Sequence, residues 1–270
     1  MNKIKERLDI YLVKNKFFVS RERAKAEIIS GNILVNNNKI NKAGTFISEN
    51  SNITILKKNK YVSRGALKLE KAINIFNINL KNKIALDIGC STGGFSEILL
   101  IKGVKKLFCV DVGYGQLAWK IRNNSKVTVL ERTNARYSLF EKLNKILVNI
   151  ITVDVSFISL SKIFYSIYEC LKINGNVIAL IKPQFETIRE NLNSKGVVKK
   201  KVKIHFDIIK NIIEEALKNN FSVKNITYSP IKGPKGNIEY FILLKKEKNI
   251  TNIINKKKIN KIVNEAFTIL

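Results

Sequence analysis

Asp87-Ile88-Gly89-Cys90-Ser91-Thr92-Gly93-Gly94-Phe95 follows the apolar run Ile84-Ala85-Leu86 and precedes Ser96-Glu97-Ile98-Leu99-Leu100-Ile101. A short strand, a Gly-rich turn and a helix in that order open a nucleotide-binding α/β unit. The glycines let backbone N–H groups approach a ligand. An acid at the strand end suits an amine or a ribose hydroxyl. The turn lacks the Gly-Lys-Ser/Thr of a phosphate cradle, which argues against a triphosphate. Its D-x-G-x-x-x-G-G spacing suits S-adenosylmethionine better than NAD. The next apolar run, Leu107-Phe108-Cys109-Val110, ends at Asp111, 24 residues beyond Asp87. That is close to the roughly 20 residues over which a ribose-binding acid follows such a loop. The expected cofactor contacts are therefore Asp87, Gly89, Ser91, Gly93, Gly94 and Phe95 from the turn, with Asp111 on the ribose. Asn134, after the third strand, is placed on the adenine side.

Composition bounds the partners. The chain has 270 residues, 45% of them hydrophobic, enough for a large domain and a small one. Its net charge of +28 points to a polyanion, nucleic acid before anionic membrane. Part of that excess reflects a chain rich throughout in Lys, Asn and Ile. Three separated cysteines and one histidine, with no CxxC, suit neither a disulfide scaffold nor a metal site. The start has no apolar signal core, and no run of 18 apolar residues occurs. A soluble, reduced, cytoplasmic protein without stable membrane association is expected.

Residues 1–57 differ in pattern from the rest of the chain. Leu8, Tyr11 and Leu12 recur at helical spacing. Ser20 can cap a second helix that Gly31 stops. Short strands are expected at 33–35, 39–40 and 53–56. Residues 1–60 hold 13 basic and 5 acidic residues, a net of +8. Arg7, Arg21, Arg23 and Lys25 fall on the helices and suit a phosphate backbone. The order Arg7-Leu8-Asp9, Leu12, Ser20-Arg21-Glu22-Arg23-Ala24, Ile28, Gly31, Ile33, Val35-Asn36 and Ile40 resembles the α-L RNA-binding domain.

Residues 58–61 read as a short charged linker, and 62–246 as an α/β domain. Strands are expected at 127–130, 150–153, 177–181, 223–228 and 240–244, with helices at 159–172 and 203–219 between them. This alternation predicts a Rossmann-like, doubly wound, mainly parallel sheet with an antiparallel edge, preceded by the small α+β domain. Residues 247–270 form a basic tail, a frayed end or a terminal helix.

Four polar residues sit near strand ends, where parallel-sheet enzymes keep their chemistry. Asp154 and Lys182 follow apolar runs, Glu239 begins the last strand, and Lys68 lies on the helix before the first. Two lysines and two acids suit methylation of a ribose 2′-hydroxyl. A desolvated lysine beside another cation can accept a proton, and acids can orient it. The methyl donor is already activated, so no metal is required. The Asn/Asp-Pro-Pro-Tyr/Phe loop of an adenine N-methyltransferase is absent; Asp154-Val155-Ser156-Phe157 stands in its place. Cys170, on an expected helix, does not suit a cytosine C5 nucleophile.

Up to about residue 245 the chain resembles the TlyA family, also called hemolysin A. The match runs through Tyr61–Leu69, Asp87–Phe95, Val110–Leu117, Asp154–Leu160, Ile181–Glu186 and Gly236–Tyr240. The resemblance implies an FtsJ-like fold behind an α-L domain. It implies 2′-O-methylation of cytidine in ribosomal RNA, with ribosomal subunits as partners. The Lys-Asp-Lys-Glu set of that class maps onto Lys68, Asp154, Lys182 and Glu239, with Lys182 as base. Arg64, inside the first matched stretch, is added to the RNA-contacting set. A membrane-lytic protein needs a spanning helix or lipid-facing strands, which the sequence lacks. A catalytically silent assembly factor would not need the intact loop and four polar residues.

Overall fold

Apolar residues at helical spacing close the first unit of the chain. The computed structural model describes residues 5–29, 31–56 and 61–270, and divides the chain into two units, 1–60 and 61–270. The first contains β1 (Lys5–Arg7), α1 (Leu8–Lys14), α2 (Arg21–Ile29), β2 (Ile33–Val35), β3 (Asn38–Ile40), β4 (Phe46–Ser48) and β5 (Ile53–Ile55). Leu8 and Leu12 of α1 and Ala24 and Ile28 of α2 are i, i+4 pairs that turn inward onto Ile33, Val35 and Ile47. Ser20 Oγ accepts the Arg23 N–H at 3.2 Å, the expected cap, and Gly31 follows α2 at φ +68°. β2 lies between β3 and β5, antiparallel to both, and β1 pairs with β4. The expected linker at 58–61 falls, except for Tyr61, outside the described residues.

The second unit runs α3 (Gly65–Phe76), β6 (Ile84–Ile88), α4 (Gly94–Ile101), β7 (Lys106–Val110), α5 (Trp119–Arg122), β8 (Val127–Leu130), β9 (Val148–Val153), α6 (Phe164–Cys170), β10 (Leu171–Ile181), α7 (Val202–Lys218), β11 (Phe221–Tyr228), β12 (Tyr240–Lys246) and α8 (Lys256–Ile269). Its seven strands are ordered β11-β12-β10-β9-β6-β7-β8. β6 to β10 are mutually parallel, and the order reverses at the β6/β9 junction, where α/β sheets bind ligands. Successive side chains alternate across the sheet. Leu86, Ile88, Phe108 and Val110 pack with α6, α7 and α8, whereas Ala85, Leu107 and Cys109 pack with α3, α4 and α5.

The late strand pair forms the expected antiparallel edge: β11 is outermost, and β12 is buried between it and β10, as its apolar run Tyr240-Phe241-Ile242-Leu243-Leu244 requires. One expectation needs correction. The helix expected over 159–172 is a 3₁₀ turn (160–163) followed by α6, which stops at Cys170. Leu171 already pairs with Val148 of β9, and residues 172–175 bulge out before Asn176 pairs with Ile150. Of the three readings open for 247–270, the terminal helix is the one found. α8 buries Ile259, Val263 and Ala266 against the α6/α7 face, and its Asn255 cap accepts the Lys258 N–H at 2.9 Å. No helix among the described residues is long and apolar enough to cross a membrane.

Candidate active site

The carboxyl ends of β6, β7, β9 and β10 share one edge of the sheet, and β12 starts there because it runs the opposite way. Asp111, Asp154 and Lys182 each directly follow a strand, and Glu239 directly precedes one. The topology thus gathers residues far apart in sequence around two adjoining cavities of about 640 and 280 Å³. The larger is lined by Arg64, Lys68, Asp154, Lys182 and Glu239 among others. The smaller is lined by Asp111, Asn134 and the apolar residues Ile88, Val110, Val112 and Ala135. Gly89, Ser91, Asp154, Ser156 and Phe157 border both.

In the larger cavity the four polar residues form two ion pairs. Lys68 Nζ lies 2.6 Å from Glu239 Oε2, and Lys182 Nζ lies 2.7 Å from Asp154 Oδ1. Lys68 reaches in from α3, spanning 171 positions to Glu239. Glu239 is fully buried, and burial pushes its carboxyl above the ordinary range although Lys68 opposes the rise. Its Oε1 has no hydrogen-bond partner among the described residues and rests against Gly233, where a Cβ would come within 2.4 Å of it. A buried acceptor left open inside a cavity is available to a ligand hydroxyl.

Three features of this cavity were not singled out by sequence reasoning. Ser156 Oγ accepts a hydrogen bond from Lys182 Nζ at 2.8 Å. Phe157 is 88% exposed and sits at φ +65°, a backbone region that bulky residues avoid. Its ring meets Phe185 at 5.1 Å, which ties the loop after β9 to the loop after β10. A further tie is Glu186 Oε1, which accepts the Leu160 N–H at 2.8 Å; burial raises the Glu186 carboxyl to about 7. Ser156 and Phe157 are neighbours of Asp154, the one sequence signal that could have exposed them.

The Gly-rich turn binds back onto the sheet. Gly89 adopts φ +78°, and a Cβ there would strike the Asp154 carbonyl oxygen at 2.6 Å, so only glycine fits. Asp111 accepts the Ser91 N–H at 2.8 Å through Oδ2 and the Gly113 N–H at 2.7 Å through Oδ1. Each carboxylate oxygen keeps lone-pair capacity for a diol. Ser91, Gly94 and Phe95 line the larger cavity, Asn134 lines the smaller, and Gly93 caps α4. These residues fit an adenosyl group: an acid for the ribose, an apolar slot for the base, and a glycine passage too narrow for a side chain.

Asp87 departs from expectation. It is fully buried beneath α4, borders neither cavity, and accepts from Ser96 Oγ at 2.6 Å and Thr152 Oγ1 at 2.8 Å. Strand alternation puts it on the face of Ala85, not at the sheet's edge. Burial raises its carboxyl to about 7. It ties α4 to β9 from below.

The basic residues of the first unit are less free than their count suggests. Arg7 and Arg21 both bind the buried Asp9, at 3.0 and 2.9 Å, and keep 41% and 47% of their side-chain surface exposed. Burial alone would raise the Asp9 carboxyl; the two guanidinium groups overcome this and bring it to about 2. Arg23 pairs with Glu27 at 3.0 Å, and Lys25 is half-buried. Arg64 of the second unit lines the larger cavity.

Residues 61–246 match the FtsJ-like methyltransferase model and residues 6–53 the S4 domain model. The 16S/23S rRNA (cytidine-2′-O)-methyltransferase TlyA of Mycobacterium tuberculosis is 35% identical, covering 88% of this chain and 89% of its own. Hemolysin A of Brachyspira hyodysenteriae is 41% identical over 87% of this chain and 97% of its own. A solved structure from Streptococcus thermophilus, named for a hemolysin, superposes with a TM-score of 0.77 at 37% identity, covering 99% and 97% of the two chains.

Proposed function

Because the chain belongs to the FtsJ-like methyltransferase family, with an S4 domain in front, we propose that it methylates the ribose 2′-hydroxyl of cytidine in ribosomal RNA, using S-adenosylmethionine. The observation that carries this reading is the pair of lysine–carboxylate contacts, Lys68–Glu239 and Lys182–Asp154, lining one cavity beside the Gly89–Ser91 turn. S-adenosylmethionine supplies a methyl group bound to a sulfonium, which needs only a nucleophile in line with it. A ribose hydroxyl is a poor nucleophile until its proton is taken. Lys182 is the acceptor for that proton. Asp154 and Ser156 fix its amine from two directions and leave the remaining one for the substrate. Lys68 places a positive charge beside the oxygen as it becomes negative. Glu239 Oε1 accepts a hydrogen bond from the ribose. Phe157 offers an exposed aromatic face on which the target base can stack.

The relatives' names supply the cytidine and the ribosomal RNA, and the S4 domain with its net positive charge supports an RNA substrate. The test is transfer of labelled methyl groups from S-adenosylmethionine to unmodified 16S and 23S rRNA, followed by digestion to nucleosides. Ribose-methylated cytidine is expected. Label on a base, or none in RNA, would overturn the proposal.

Asp111 is proposed to hold the cofactor ribose. Asp111→Ala should weaken S-adenosylmethionine binding roughly 10- to 100-fold, as loss of about 1.5–3 kcal/mol from hydrogen bonds to a charged acceptor implies. Its two backbone contacts bear on the turn, not on the apolar core, so the melting temperature should change little. Calorimetry giving wild-type affinity would remove Asp111 from the site.

A further inference from the structure

Two exposed lysines have no acidic partner among the described residues: Lys235, which lines the larger cavity, and Lys195, next in the chain to the lining residue Gly196. Lys195 sits at the tip of a tight hairpin in which Leu192 and Val198 form an antiparallel bridge. Asn193 Oδ1 accepts the backbone N–H of both Lys195 and Val197 at 2.9 Å, and Gly196 turns the chain at φ +73°. Lys235 sits in a second turn, closed by hydrogen bonds from Gly233 N to Asn237 O and from Gly236 N to Gly233 O, each 2.9 Å. Asn237, only 2% exposed, joins the two loops. Its Oδ1 accepts the Val198 N–H at 2.9 Å, and its Nδ2 donates to the Gly196 carbonyl at 3.2 Å. A Cβ built on Gly196 would lie 4.0 Å from Lys235 Nζ, so this ammonium stands at the hairpin tip, beside the residue that follows Lys195 in the chain. Both lysines are exposed, and Gly196, Lys235 and Asn237 line the cavity that holds Lys182.

Like charges on a fixed backbone with no counter-ion repel one another and attract an anion. A ribose whose 2′-hydroxyl faces Lys182 carries phosphodiesters on its 3′ and 5′ oxygens. We propose that hairpin 192–198 and turn 231–237 form a lip that grips an RNA phosphate next to the target ribose. Lys195 and Lys235 supply the charge, and Asn237 holds the two halves together. The inference rests on the function proposed above. The lip also touches the chemistry, because Gly233, in the same turn, forms the shelf under Glu239 Oε1. Gripping the backbone and placing that carboxylate thus depend on one piece of structure.

The test compares the full-length protein with Lys195→Ala/Lys235→Ala, Lys195→Arg/Lys235→Arg and Asn237→Ala, using a 16S rRNA transcript as the probe. Binding is followed across a salt series. Each phosphate contact adds about 0.7–0.9 to the log–log salt slope, so the double alanine variant should lose roughly 1.4–1.8 of it. Its RNA affinity should fall about tenfold or more, with the loss carried by KM. The double arginine variant should recover the slope, and S-adenosylmethionine affinity should stay at the wild-type value in both. Asn237→Ala should weaken RNA binding and lower kcat as well. If it fails to fold, the double variants, which change only exposed side chains, still decide the matter. A double alanine variant with the wild-type slope would overturn the lip. Binding needs no methyl transfer: a wild-type protein that binds the transcript with this slope but transfers no methyl overturns the proposed reaction and leaves the lip standing.

Discussion

Lys182→Ala should slow methyl transfer by about 10²–10⁴-fold, the usual contribution of a positioned proton acceptor. The affinities for S-adenosylmethionine and RNA should change far less, because Lys182 contacts Asp154 and Ser156 and not the Gly-rich turn. Lys182→Arg is the sharper variant. A guanidinium keeps the charge and can still meet Asp154, but it does not give up its proton in proteins. It should fail as fully as alanine. Single-turnover rates with RNA in excess would separate the chemical step from binding. Near-normal rates in the arginine variant would mean that position 182 supplies only charge, and the acceptor would have to be sought elsewhere.

Lys68→Met should cost about 3–5 kcal/mol of stability at pH 8, because it leaves Glu239 buried without its cation. The sign of the pH dependence comes from the direction of the Glu239 shift. Burial already holds this carboxyl above its ordinary 4.5, and removing Lys68 takes away the main opposing influence. A carboxyl whose folded pKa is raised binds protons more tightly in the folded state. The deficit should therefore be small below about pH 4.5 and grow as pH rises above it. Lys68→Met/Glu239→Gln should recover most of the stability, since both members of the pair are then neutral, while methyl transfer stays lost. Urea unfolding at pH 5 and pH 8 measures both effects. A single variant within about 1 kcal/mol of wild type at pH 8 would mean that water screens the pair, and the role given to Lys68 would fall with it.

Much of this protein could be read from local pattern. The Gly-rich turn at 87–95 has a spacing that few backbone geometries tolerate, and Gly89 occupies a place where any Cβ meets the Asp154 backbone. Parallel strands bring their carboxyl ends to one edge, so Asp111, Asp154 and Lys182 were predictable as neighbours once the strands were recognised. Of the residues read at helical spacing in the first unit, Leu8 and Leu12 enter its core and Tyr11 packs at the margin.

What tertiary structure decided has a common physical cause: it depends on contacts between residues distant in sequence. The interior place of β12 results from pairing with both β10 and β11, and it puts Glu239 within reach of Lys68 on α3. Asp87 looked like a ligand to the cofactor, but strand alternation turns it under α4 toward Ser96 and Thr152. Arg7 and Arg21 looked like free cations until folding buried Asp9 between them. Lys195 and Lys235, 40 positions apart, were two lysines among 49 basic residues. Periodicity and motif spacing record what a residue needs from its near neighbours in the chain. Which distant charge a buried carboxylate meets, and which cation is left without one, is settled only when the strands and loops pack.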